Sequence, residues 1–324
     1  MNKSPTLFKL DIKDPEEESY RKFLLEVQSE DYDGGDKARK LDQFYTDDDV
    51  AIECLNLLKT EFPEGTFDNK IFIEPSAGTG AFIKAAIEVY GEDVNVLAYD
   101  IEPKYNSIIK ANFLEVNLEQ KKEYVTIGNP PFGKRSELAI KFINKAMEYS
   151  DIVAFILPLQ FNKWLTQKKV DKRFKLIKSH VLKSDSFIFE NKKYDVRSVF
   201  QIWTRIDTSH KDLRIKSAPP IKHPDFKMWQ YNGTPTSARY FDYDWDFAVP
   251  RQGYKDYSER IMKKEDLKDK TQYIFFKAKD DKVRDKLINI DFEELSKLNT
   301  STPGFGKADV VAHYSTIYSN NGGD

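Results

Sequence analysis

From Gln43 onward the apolar positions of this chain recur with helical and strand periods in alternation. Thr46 reads as an N-cap, followed by acidic residues in the first turn and a helix running through Leu58. Lys70 to Glu74 reads as a short buried strand, Gly80 to Tyr90 as a helix, and Asn95 to Tyr99 as a second strand ending at Asp100. Tyr124 to Gly128 and Ile152 to Pro158 follow as strands, with the helix Ser136 to Tyr149 between them. Leu176 to Phe189 and Ser198 to Arg205 then read as a closing pair of strands flanking a charged loop. Strands alternating with helices predict an α/β fold with a mostly parallel sheet covered on both faces.

The pattern sets three regions. Residues 1–40 are polar and charge-rich and read as an arm with at most one short helix, around Tyr20 to Val27. Residues 41–207 carry the alternation. Beyond them, in 208–324, proline and aromatic residues increase, as in Ala218-Pro219-Pro220 and Tyr240-Phe241-Asp242-Tyr243. Regular periodicity returns there only with a strand at Gln272 to Lys277 and a helix at Asp281 to Leu298. This last part is expected to be a smaller C-terminal region that chooses the target.

Composition narrows the class. The longest apolar run, Ile152 to Leu159, is far short of a membrane span, so no membrane partner is expected. The polar start, Met1 to Pro5, predicts no secretory leader. A single cysteine, Cys54, excludes a disulfide framework and suits a reducing cytoplasm. The four histidines have no ligand-like spacing, and no metal is expected. A net charge of −2 hides an asymmetry: residues 1–60 hold 15 acidic against 9 basic residues, and 161–200 hold 11 basic against 4 acidic. The latter block, of net +7, reads as a surface for a phosphate backbone or as a solvated face.

The candidate chemistry stands at the ends of the predicted strands. Ile73-Glu74-Pro75-Ser76-Ala77-Gly78-Thr79-Gly80 is a strand, a glycine turn and a helix start, where Gly78 and Gly80 let the backbone pass close under a ligand. Asp100 ends the next strand, where a carboxylate suits the two ribose hydroxyls of an adenosine-containing cofactor. A nicotinamide site would continue with a third glycine, but Ala81-Phe82-Ile83 stands there, and the turn has no basic partner for a pyrophosphate. S-adenosylmethionine, with a cationic sulfonium and an α-amino group, makes use of an acidic residue such as Glu74. Asn129-Pro130-Pro131-Phe132 follows the strand Tyr124 to Gly128. Two prolines hold the surrounding carbonyls in a rigid extended loop. An amide before them and a ring after them suit an amino group on a planar substrate, adenine N6 above all.

Taken in order, Gln43-Phe44-Tyr45-Thr46, Glu74 to Gly80, Asp100 and Asn129 to Phe132 resemble the S-adenosylmethionine-dependent amino-methyltransferases that methylate adenine N6 in DNA. The resemblance covers roughly residues 41–205. It implies a Rossmann-like methyltransferase sheet with a closing antiparallel strand, and methyl transfer by direct displacement on a flipped-out base. Phe44, Tyr45 and Thr46 would close over the methionine end of the cofactor. Asn112-Phe113 stands where the family usually has Asp-Phe against the cofactor adenine, so Asn112 is a departure. Ser76, Ala77 and Ile101, beside these motif residues, complete the expected cofactor set. Asn129, Pro130, Pro131 and Phe132 are the expected catalytic residues, and Lys134 and Arg135 either hold a flanking phosphate or are ordinary solvated charge. The same catalytic motif serves enzymes that methylate adenine in ribosomal RNA or a glutamine amide in protein. A non-catalytic cofactor-binding subunit is the remaining alternative. The expected partner is DNA, with RNA second, and a separate recognition or restriction subunit fits the small C-terminal region.

Overall fold

The computed structural model describes residues 45–318, apart from 121–122, 134–135, 184–185, 190–191, 195, 255, 269–270 and 299–301. The N-terminal arm and its expected helix lie outside the described residues. The chain forms two compact units, residues 1–158 with 169–214, and residues 159–168 with 215–324. Among the described residues no helix is long and apolar enough to cross a membrane.

The first unit is built on a seven-stranded sheet. Its strands are β2 (Ile71–Glu74), β3 (Asn95–Asp100), β4 (Ile109–Lys110), β5 (Tyr124–Gly128), β6 (Ser150–Pro158), β7 (Lys175–Val181) and β10 (Ser198–Thr204), in the order β4-β3-β2-β5-β6-β10-β7. Neighbouring strands from β4 to β6 run parallel, whereas β10 is antiparallel to both β6 and β7. This is a mostly parallel, Rossmann-like sheet with one reversed strand. The chain leaves β2 toward β3 and later returns on its other side as β5, so the strand order reverses between β2 and β5. A crevice outside the carboxyl ends of the strands at such a reversal is where open α/β sheets take their ligands.

Helices α1 (Asp48–Thr60) and α2 (Ala81–Tyr90) share a core with Phe72, Val96, Val125, Ala154 and Phe200 on one face of the sheet. Asp47, not Thr46, caps α1: its carboxylate accepts from the Asp49 N–H at 3.0 Å. Thr46 is instead in a strand, β1 (Tyr45–Thr46), because its backbone pairs with a distant segment. Asp48 and Asp49 sit in the first turn of α1 and Lys59 in the last, in favourable sense with the helix dipole. Helix α3 (Glu137–Tyr149) presents Phe142, which stacks on Phe113 at 6.1 Å, and Phe113 in turn meets Tyr99 of β3.

The expected closing strand Leu176 to Phe189 is two strands. β7 ends at Val181, and Phe187–Phe189 (β8) leaves the main sheet to pair with β1 on one side and β9 (Lys192–Tyr194) on the other. The edge offered by Tyr45 and Thr46 takes up the backbone groups of β8, which a sequence pattern does not foresee.

The second unit holds a three-stranded antiparallel sheet, β11 (Phe226–Tyr231), β13 (Tyr273–Ala278) and β12 (Phe247–Pro250), with β13 central. One face packs Phe226, Phe247, Ile274 and Phe276 with residues of α4 (Asp281–Ile288), α5 (Phe292–Ser296) and α6 (Lys307–Tyr318). The other face packs Ala248, Tyr273 and Phe275 under Tyr240, Phe241 and Trp245. The helix expected over Asp281 to Leu298 is broken after Ile288, and Asp291 caps the second piece at the Glu294 N–H, 2.9 Å. In β11 the polar residues Lys227 and Gln230 are three apart rather than two, and β12 is a run of four apolar residues, so neither shows the alternation by which a sequence pattern finds a strand.

Candidate functional site

The tips of β2, β3 and β5 bring their polar residues to one place. Ser76 joins two of them: its N–H donates to Glu74 Oε1 at 3.1 Å, and its hydroxyl donates to the Asn129 carbonyl at 3.1 Å. Asp100 joins the third. Its carboxylate accepts from the Gly78 N–H and the Glu102 N–H, each at 2.8 Å. A carboxylate has about four acceptor positions, so two are left for a ligand after these bonds. The Ala77 N–H donates to the Tyr99 carbonyl at 2.9 Å, which fixes the glycine turn against β3.

Two glycines are required by close approach. At Gly78, with φ +52°, a Cβ would stand 3.0 Å from the Tyr45 ring. At Gly128, with φ +136°, it would collide with Glu74 Oε1. Glycine at 128 therefore makes the space in which the Glu74 carboxylate lies. Gly80, with φ +77°, is the left-handed residue that starts α2.

A cavity of about 200 Å³ opens at these strand ends. Ser76, Gly78, Asp100, Ile101, Phe113 and the whole Asn129-Pro130-Pro131-Phe132 run line it. Tyr45 lines it too, held in place by the pairing of β1 with β8. A second cavity of about 30 Å³ adjoins, and Tyr45, Ser76, Gly78 and Asn129 line both. Thr46, Glu74 and Ala77 belong to the smaller one, whose size suits a single ammonium-sized group. Glu74 is 1% exposed. Burial pushes its carboxyl well above the usual range, the Ser76 N–H opposes that, and the nearby Asp100 adds to it. A buried acid of this kind holds its charge once a cation stands beside it.

Most of the expected residues meet here. Asn112 does not line either cavity: its side chain accepts from the Leu114 N–H at 3.2 Å and donates to Glu115 at 2.7 Å, capping a short turn. Its neighbour Phe113 does line the cavity. Phe44, Lys134 and Arg135 lie outside the described residues. Pro75, Glu102, Lys104, Leu138 and Phe142 line the larger cavity and were not foreseen. Phe142 was visible only as part of the apolar face of α3, and Lys104 gave no signal in the sequence.

No family model and no curated protein matches the chain. Among solved structures it is similar to a candidate RNA methyltransferase from Pyrococcus horikoshii, at 18% identity and a TM-score of 0.42, over 58% of this chain and 99% of that one. It is similar to a candidate class I S-adenosylmethionine-dependent methyltransferase from Listeria monocytogenes, at 16% identity and a TM-score of 0.42, over 63% and 72%. It is also similar to a type I restriction-modification methyltransferase subunit from Streptococcus thermophilus, at 13% identity and a TM-score of 0.38, over 51% and 45%.

Proposed function

We propose that the chain binds S-adenosylmethionine and directs its methyl group to the N6 amino group of adenine in DNA. One observation carries the reading. The Asn129 to Phe132 run and the Ser76, Gly78 and Asp100 turn line a single cavity, with a buried acid in the small cavity beside it. Asp100 suits the ribose hydroxyls, Ile101 and Phe113 the adenine, and Glu74 the amino-acid end. The donor, when bound, supplies a methyl group on a positively charged sulfur.

The remaining work falls to residues of the chain. Pro130 and Pro131 have no N–H, so this rim offers acceptors, which suit an amine that has two hydrogens to donate. The Asn129 side-chain oxygen and the Pro130 carbonyl would take those hydrogens and draw the nitrogen lone pair out of conjugation with the ring. Being fixed by the loop, they need little reorganisation as charge develops. Phe132 offers its face to the base. A duplex substrate must release the base from its stack, at a cost of roughly a few kcal/mol. No protein nucleophile is needed. The lone thiol, Cys54, is 1% exposed in the core, and burial pushes its pKa up, which removes it as a covalent catalyst.

The test is methyl transfer from labelled donor to matched DNA, RNA and protein, with mass spectrometry of the digested products. N6-methyladenine in DNA is the expected product. Label only in 5-methylcytosine or in protein glutamine would overturn the reading.

A further inference from the structure

The second unit carries a cleft of its own, of about 520 Å³, where the ends of β11 and β13 meet the loop at Tyr243. Lys227 and Lys277 are register partners on these two strands, so their side chains rise from the same face. Like charges placed directly opposite do not stabilise a sheet, and such a pair calls for a function or for compensation. Lys277 is compensated by Asp244 at 2.9 Å and Asp246 at 3.0 Å, and Lys279 by Asp225 at 3.1 Å. Lys227 is exposed and joined by no ion pair to a described residue. Three lysines line the cleft, and with Lys277 and Lys279 already paired to aspartates, Lys227 is the cation left to draw an anion, which suits one phosphate better than a polyphosphate.

The other wall is aromatic. Trp229 is two residues beyond Lys227, on the same face of β11, and the Tyr243 ring meets it edge-on at 5.3 Å and 83°. Tyr240 meets Tyr243 at 5.2 Å and 84°, fixing the ring while 40% of Tyr243 stays exposed. An aliphatic ligand would leave the ammonium groups unused, and an acidic peptide would leave the ring unused. A nucleotide uses both, through its phosphate and the π-face of its base. We propose that this cleft is a nucleotide site, with one phosphate on Lys227 and Lys279 and one base against Tyr243 and Trp229. It stands apart from the methyl-transfer reading, since none of its residues lines the Asn129 cavity.

The test uses the full chain, a short fluorescent single-stranded DNA, and deoxyadenosine monophosphate as competitor. Lys227→Glu should weaken strand binding about tenfold and make the log–log salt dependence shallower by about 0.7. Tyr243→Ala should weaken it by about tenfold with the salt dependence kept. Ultraviolet crosslinking of a bromodeoxyuridine strand should mark the peptide holding Trp229 or that holding Tyr243, and should do so equally in Asn129→Ala. Circular dichroism checks that each variant is folded. Full competition by the mononucleotide would identify a free nucleotide as the source, and binding of the strand alone would identify the nucleic acid. Both outcomes support the site. Unchanged binding in both variants with crosslinks only elsewhere, or equal competition by polyglutamate, would overturn it.

Discussion

Arg260 in the second unit is half-buried and Glu74 in the first is fully buried, and their surroundings differ as well. Arg260 donates to the carbonyls of Ile288 at 3.0 Å, Ile290 at 2.8 Å, Tyr257 at 2.9 Å and Ser258 at 2.7 Å. Its guanidinium also lies 4.7 Å from the centre of the Phe292 ring. Those partners clamp the junction between α4 and α5, so the charge serves as scaffold. Glu74 has Ser76 as its bonded neighbour and otherwise borders a cavity. A buried charge needs a partner: Arg260 finds its partners within the fold, whereas Glu74 borders a cavity where the proposed cofactor would supply one.

The largest test of this contrast is at the motif beside Glu74. Asn129→Ala should lower kcat by about 10²–10³ while donor affinity stays near that of the wild type. Full activity in that variant would sink the assigned role. Next, Arg260→Met leaves several carbonyls without donors and should cost about 2–4 kcal/mol of stability in denaturant unfolding. Donor affinity, measured by calorimetry on the folded variant, should not change.

Glu74→Gln should show the opposite pattern, with donor affinity reduced about tenfold through loss of a charge-assisted contact. Its effect on stability depends on pH. Burial raises the carboxyl of folded Glu74 above its ordinary value, so its contribution to stability is whole below the unfolded value and is lost as pH rises through the folded one. The melting temperature of ligand-free wild type, relative to Glu74→Gln, should therefore fall as pH rises above the ordinary carboxylate range. Parallel curves would show that the buried charge is already compensated, and the contrast with Arg260 would fail. The smallest effect is expected at Cys54→Ala, which removes one buried sulfur from a packed face. It should cost about 1 kcal/mol and leave methyl transfer intact.

Elements of the first unit were legible in the sequence because their signals are local. The side-chain period fixes which residues of a helix or strand face the core, and Glu74, Asp100 and Asn129 each end or follow such a run. Their standing at successive strand ends was therefore readable before any contact was known. Of the C-terminal sheet only the central strand β13 was legible, since neither β11 nor β12 carries a period-two alternation for a pattern to show.

What only the tertiary structure decided is which distant backbone meets which. The pairing of Tyr45 with Ile188 takes Thr46 out of its expected cap and sets the Tyr45 ring over Gly78. The bond from Ser76 to Asn129 and the space that Gly128 leaves for Glu74 bring together residues that are 53 and 54 positions apart. Local propensity is set by each residue and its near neighbours, so it specifies the elements. Strand pairing and the fit of one turn against another depend on groups far apart in the chain, and their geometry exists only once the sheet has formed.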